Sequence, residues 1–324
     1  MPAGWTVRNI SLRDVPLILA ITRASDMASI GEPDWSTDEI VATLTAANHD
    51  PARDSWLAMD AAGEPVAWGY LDNPSHADRD NVEVYAKPAA GEPAYRPLLD
   101  LAITRVAQRA LEAGYPAVTL RAGAIATEAA YVDALRDKGF VFVKRHARMR
   151  RPLTGDEVGA GDAAVPVGYL IRAVRPDDEA QLRRFHQVLQ SAFADTPDFL
   201  PISYETWRET IANLPTSWDE WLVAMVDGAV VGVLQSAEQG VERNEGWVKN
   251  LAVLREHRNA GIGTALLREA FAIYAAKGRR WAGLGVDLTN PTGAYRLYTG
   301  VGMVPTFEAD VYERPVTAGP PAAP

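Results

Sequence analysis

The stretch Arg258-Asn259-Ala260-Gly261-Ile262-Gly263 stands between an apolar run, Trp247 to Leu254, and a helical pattern, Thr264 to Lys277. That order is strand, glycine loop, helix. The first turn of a helix carries backbone N–H groups without intrahelical acceptors and the positive end of the helix dipole, and glycines let an anion approach them closely. The segment reads as an anion cradle with phosphate the expected guest; the alternative is a plain strand-to-helix turn eased by glycine. Spacing excludes two common phosphate loops. A dinucleotide fingerprint needs a third glycine where Leu266 stands, and a nucleoside-triphosphate loop needs a Gly-Lys-Ser/Thr ending that is absent.

What these residues resemble is the signature Arg/Gln-x-x-Gly-x-Gly/Ala of GNAT N-acetyltransferases, matched by Arg258, Gly261 and Gly263. Downstream, Asn290 to Met303 resembles that family's second signature, Asn-x-x-x-Ala-x-x-Leu-Tyr-x-x-x-Gly-Phe, with Met303 for Phe as the one departure. The resemblance implies acetyl-CoA as cofactor. It implies that Arg258, Asn259, Ala260, Gly261, Ile262, Gly263 and Thr264 hold the diphosphate and that the backbone of Leu251, Ala252 and Val253 pairs with the pantetheine arm. Asn290 is then expected to hydrogen-bond the arm and Tyr298 to protonate the leaving thiolate; no metal is implied. A phenol suits that role, being neutral at pH 7 and able to donate. Tyr298 also lies at helical spacing from Ala294 and Leu297, which fits core packing equally.

Composition bounds the rest. A chain of 324 residues exceeds the usual single domain, so two domains are expected. The absence of cysteine excludes a disulfide framework, a thiolate metal site and a cysteine nucleophile together. A net charge of -10 argues against nucleic acid as principal partner and suits cationic small molecules or simple solubility. No apolar run approaches a membrane span and the N-terminus lacks a leader pattern, so a cytoplasmic protein without a membrane partner is expected.

The halves of the chain align with each other. Trp5-Thr6-Val7-Arg8 matches Tyr169-Leu170-Ile171-Arg172; hairpin turns fall at Gly63 and Gly228; short helices close at Gly139 and Gly302. These landmarks keep an offset of about 164 residues, the mark of duplication. Each half reads strand, one or two helices, antiparallel strands, the loop strand, a long helix, a strand, a short helix and a last strand. By resemblance this is an α/β (mixed α+β sheet) chain of two tandem GNAT domains. The expected division is a degenerate N-terminal domain over 1–152, a linker over 153–166, a catalytic domain over 167–316 and a disordered tail over 317–324. The plan is similar to that of mycothiol synthases.

The halves are chemically unequal. Counting back from Gly139 as from Gly302 puts Leu135 where Tyr298 stands and Thr127 where Asn290 stands. The loop Lys87 to Arg96 contains prolines, which delete amide donors, and Glu92, which repels phosphate. The N-terminal half is therefore expected not to bind acetyl-CoA.

The expected reaction is transfer of acetyl to a primary amine of a small molecule by direct attack; the alternative is a non-catalytic acyl-CoA-binding or interaction protein, or a mycothiol synthase specifically. Glu238, Glu245, Asp287 or water are the candidate bases, each carboxylate reading more readily as a solvated surface group. The segment Phe193 to Trp207, rich in aromatics and acids, is expected over the acceptor. A tandem chain imitates a dimer internally, which favours a monomer.

Overall fold

The computed structural model describes every residue except 47–48, 74–77, 158–164, 195, 197–198, 200, 213–214, 290–292 and 321–324. In chain order its elements are β1 (Thr6–Asn9), α1 (Val15–Ser29), α2 (Thr37–Leu44), α3 (Pro51–Asp54), β2 (Ser55–Met59), β3 (Pro65–Asp72), β4 (Arg79–Ala86), α4 (Tyr95–Ala113), β5 (Ala117–Ile125), α5 (Ala129–Asp137) and β6 (Val141–Pro152). There follow β7 (Leu170–Ala173), α6 (Glu179–Phe193), α7 (Tyr204–Ala212), β8 (Leu222–Val226), β9 (Ala229–Ala237), β10 (Glu245–Val253), α8 (Ile262–Ala276), β11 (Trp281–Asp287), α9 (Ala294–Gly300) and β12 (Val304–Thr317). Local chemistry sets the helix ends. Ser36 and Glu39 form a capping box at α2, Asp178 accepts from the Gln181 amide at the start of α6, and Gly114 closes α4 in the left-handed region. Among the described residues no helix is long and apolar enough to cross a membrane.

The chain forms two compact units, Met1–His146 with Phe307–Pro324, and Ala147–Thr306. In the first the strands lie in the order β1-β2-β3-β4-β5-β12. The pairs from β1 to β4 are antiparallel, β4 and β5 are parallel, and Ala309–Thr317 of β12 runs antiparallel to β5. Leu98, Leu99, Val106 and Leu135 of α4 and α5 fill one side of this sheet, and Ile18, Ile21, Ile40 and Leu44 of α1 and α2 pack with Leu57 and Trp68 on the other.

The second unit repeats the order as β7-β8-β9-β10-β11-β6. Leu266, Phe271 and Tyr274 of α8 pack with Val248, Leu284 and Met149, while Leu182, Phe185 and Trp207 of α6 and α7 pack with Val223 and Val233. Both sheets are mixed and helix-covered on each face, the α/β class expected from the sequence.

The units interleave in the chain. A cut within 153–166 leaves each unit's last strand on the far side of the cut, since β12 completes the first unit and Ala147 onward of β6 completes the second. One polar anchor shows how firmly β6 is held there. Glu245, fully buried at the start of β10, pairs with Arg148 at 2.9 Å and Arg150 at 3.4 Å, and Gly283 leaves the room, because a Cβ there would collide with that carboxylate.

Candidate functional site

In the second unit β10 parts from one neighbour halfway along. Its parallel pairing with β11 covers Glu245–Val248 against Trp281–Leu284, while pairing with β9 continues to Val253. A bulge falls between Val248 and Asn250, where Lys249 is the extra residue. The Leu254 amide donates to the Val231 carbonyl at 2.9 Å, so by antiparallel alternation Asn250 and Ala252 turn their backbone groups to β9 and Leu251 and Val253 turn theirs to the open edge. Of the three strand residues singled out from the sequence, two offer backbone to the opening and Ala252 spends its own on the sheet.

The loop that follows ends in two left-handed residues, Asn259 at φ 63° and Gly261 at φ 84°, the second being the N-cap of α8. The amides of His257 and Arg258 bond to Leu254 and Arg255, and that of Ala265 bonds to Gly261. Between them the six consecutive amides of Asn259, Ala260, Gly261, Ile262, Gly263 and Thr264 have no acceptor among the described residues. Six consecutive unpaired donors at a helix N-terminus are the kind of donor set that an anion site uses.

Gly263 ties this loop to its surroundings: a Cβ there would stand 3.1 Å from Leu297 of α9 and 3.9 Å from Leu251 of β10. Arg258 does structural work that the sequence reading did not foresee. Its guanidinium donates to the Val253 carbonyl at 3.1 Å and the Ala192 carbonyl at 3.2 Å, joining the open strand to the end of α6. Arg258→Ala is expected to lower the unfolding free energy by about 2 kcal/mol and to weaken acetyl-CoA binding several-fold, with Arg258→Lys no better because an ammonium lacks the planar fork. Urea melts beside a ligand titration check both.

Tyr298 sits in α9, 9% exposed, in the apolar cluster of Ile262 and Leu266, with Leu251, Val253 and Leu297 packed against it. Burial alone pushes its phenol up to about 12, with no hydrogen bond contributing among the described residues. Asn290 lies outside the described residues.

A cavity of about 390 Å³ opens beside the bulge. Leu189, Phe193, Phe199, Ile202, Trp207 and Ile211 give it apolar walls, and Gln235, Lys249 and Asn250 a polar floor. Phe193, Phe199, Ile202 and Trp207 come from the segment expected over the acceptor. The Asn250 amide donates to Gln235 at 2.7 Å, and His186 donates to the Ile202 carbonyl at 3.0 Å; burial holds that imidazole below its usual range.

The candidate bases fall elsewhere. Glu245 is locked between two arginines, Asp287 accepts from Thr289, and Glu238 stands 3.9 Å from Arg279. None of the three lines the cavity.

The first unit has the same parting of strands, with β4 and β5 paired over Arg79–Val82 and Thr119–Ala122, yet most of its loop donors are spent. The amide of Ala89 bonds to the Glu92 carboxylate, that of Ala90 to Pro88, that of Gly91 to Lys87 and that of Ala94 to Gly91. Leu135, where the other unit has Tyr298, is fully buried.

Residues 182–303 match the profile of the acetyltransferase (GNAT) family. No curated protein matches the sequence. Among solved structures, the chain is similar to a GCN5-related N-acetyltransferase from Sphaerobacter thermophilus, with 23% identity, 98% of each chain covered and a TM-score of 0.83. It is similar also to a tandem GNAT protein from the clavulanic acid biosynthesis pathway, with 17% identity, 98% of this chain and 99% of that one covered and a TM-score of 0.67. A Saccharomyces cerevisiae N-myristoyltransferase shares 10% identity over 99% of this chain and 81% of its own, with a TM-score of 0.58.

Proposed function

We propose that the GNAT-family acetyltransferase domain formed by residues 182–303 makes this chain an acetyl-CoA-dependent N-acetyltransferase, acting on a primary amine of a small molecule, with its one active site in the second unit. The observation that carries this reading is the row of six free amides from Asn259 to Thr264, which suits a diphosphate, set against the largely self-satisfied loop of the first unit.

When bound, acetyl-CoA supplies a thioester carbonyl as electrophile. The loop amides hold its diphosphate, and the open-edge backbone of Leu251 and the amide of Val253, whose carbonyl is held by Arg258, receive the arm, so that the thioester is presented beside the cavity. The amine nitrogen forms its bond to the carbonyl carbon as the C–S bond breaks with its electron pair on sulfur. Tyr298 gives its proton to that sulfur, and the proton shed by nitrogen returns to the phenolate through water.

Titration calorimetry is expected to find one acetyl-CoA bound per chain, with thiol release on adding amine. Two equivalent sites per chain overturn the one-site reading; tight binding without amine-dependent thiol release across a broad panel leaves a binder rather than an enzyme.

A further inference from the structure

The acceptor cavity has a charge character opposite to that of the protein. The chain carries a net charge of -10, which by itself suits a cationic substrate, yet among the described residues that line the cavity Lys249 is the one charged side chain. No hydrogen bond or ion pair links Lys249 to another described residue; the neighbouring amide Asn250 is bound to Gln235 instead. Lys249 is placed there by the bulge, as the residue without a partner on β9.

From this, and resting on the acetyltransferase reading above, we infer that the acceptor is an amine that also carries a carboxylate and an apolar body: an α-amino acid with an aromatic or branched aliphatic side chain. Three features combine. The walls of Leu189, Phe193, Phe199, Ile202, Trp207 and Ile211 take an apolar side chain. Lys249 is an exposed cation on the floor of that same space with no counter-ion among the described residues, and a ligand carboxylate supplies one. The same charge repels a protonated amine, which disfavours plain cationic amines and favours the neutral, nucleophilic form of an amine held by its own carboxylate. About 390 Å³ accommodates an amino acid of that kind beside the thioester.

The test pairs phenylalanine and leucine with their decarboxylated counterparts, 2-phenylethylamine and 3-methylbutylamine, at saturating acetyl-CoA, following thiol release. The wild-type protein is expected to show kcat/KM at least tenfold higher for the carboxylate-bearing member of each pair. Lys249→Met is expected to raise KM for phenylalanine at least tenfold and to erase the preference, and Lys249→Arg to keep most of it; an unchanged acetyl-CoA dissociation constant shows that each variant is folded. Equal or better use of the decarboxylated amines, or a preference that survives Lys249→Met, overturns the inference while leaving an acetyltransferase in place. Turnover of neither member also overturns it, and turnover with other amines then reports separately on the parent reading.

Discussion

Gly261→Pro is expected to raise the dissociation constant of acetyl-CoA at least tenfold. Gly261 holds φ 84° at the N-cap of α8, where proline is locked near -65° and has no N–H. The substitution therefore removes one of six consecutive donors and forces the loop to turn differently. A charge-assisted hydrogen bond contributes about 1.5–3 kcal/mol, and tenfold in affinity is about 1.4 kcal/mol, so one donor alone reaches that threshold. Gly228→Ala is the comparison. Gly228 also has a positive φ, 79°, in a hairpin turn with nothing within 4 Å of a new Cβ, so alanine there costs about 1 kcal/mol of stability with no change in ligand affinity. Equal losses of affinity in the two variants would sink the cradle. Gly91 is unsuitable as a comparison in the first unit: it is buried, and a Cβ would collide with the Val66 carbonyl, so its substitution reads out folding.

How far the sequence spoke depended on how local the chemistry was. The glycine loop, α8 behind it and the Ala294 to Tyr298 face are each written within a few consecutive residues, and spacing alone orders them as the structure does. The duplication was legible for the same reason. The interleaving of the units was not, because β6 and β12 carry the same succession of exposed, half-buried and buried positions along their first twelve residues. A pattern that suits either sheet edge cannot say which edge it joins. Glu245 read as a surface carboxylate for a related reason: its partner Arg148 is 97 residues away in sequence, and a carboxylate looks solvated until its arginine is found. Arg258 matched a signature, but its bonds to Val253 and Ala192 depend on where α6 ends. Lys249 belongs to no motif in the sequence; its place on the cavity floor depends on the bulge in β10 and on where α6 and α7 pack.

Tyr298→Phe is expected to lower kcat about a hundredfold, the range in which a positioned acid acts, while KM for acetyl-CoA stays within a few-fold. The phenol is the test case between acid and packing residue, and its surroundings make the test clean. Phenylalanine keeps the ring that packs with Ile262 and Leu266, and the hydroxyl removed has no partner among the described residues, so its loss leaves no other group unsatisfied. Stability is therefore expected to be unchanged or slightly higher, and a fall in turnover cannot be assigned to unfolding. The pH profile carries a second readout. Burial alone raises the phenol to about 12, so the acid form persists through pH 10 and kcat/KM shows no falling limb below that point. With no carboxylate lining the described cavity to take the proton, the rising limb follows the acceptor's own amine and shifts when an acceptor of lower amine pKa is used. A Phe variant with undiminished turnover where chemistry limits the rate removes Tyr298 from the proton path and leaves it a packing residue. A falling limb near pH 8 that disappears in the variant would instead keep the acid and overturn the burial that sets its pKa.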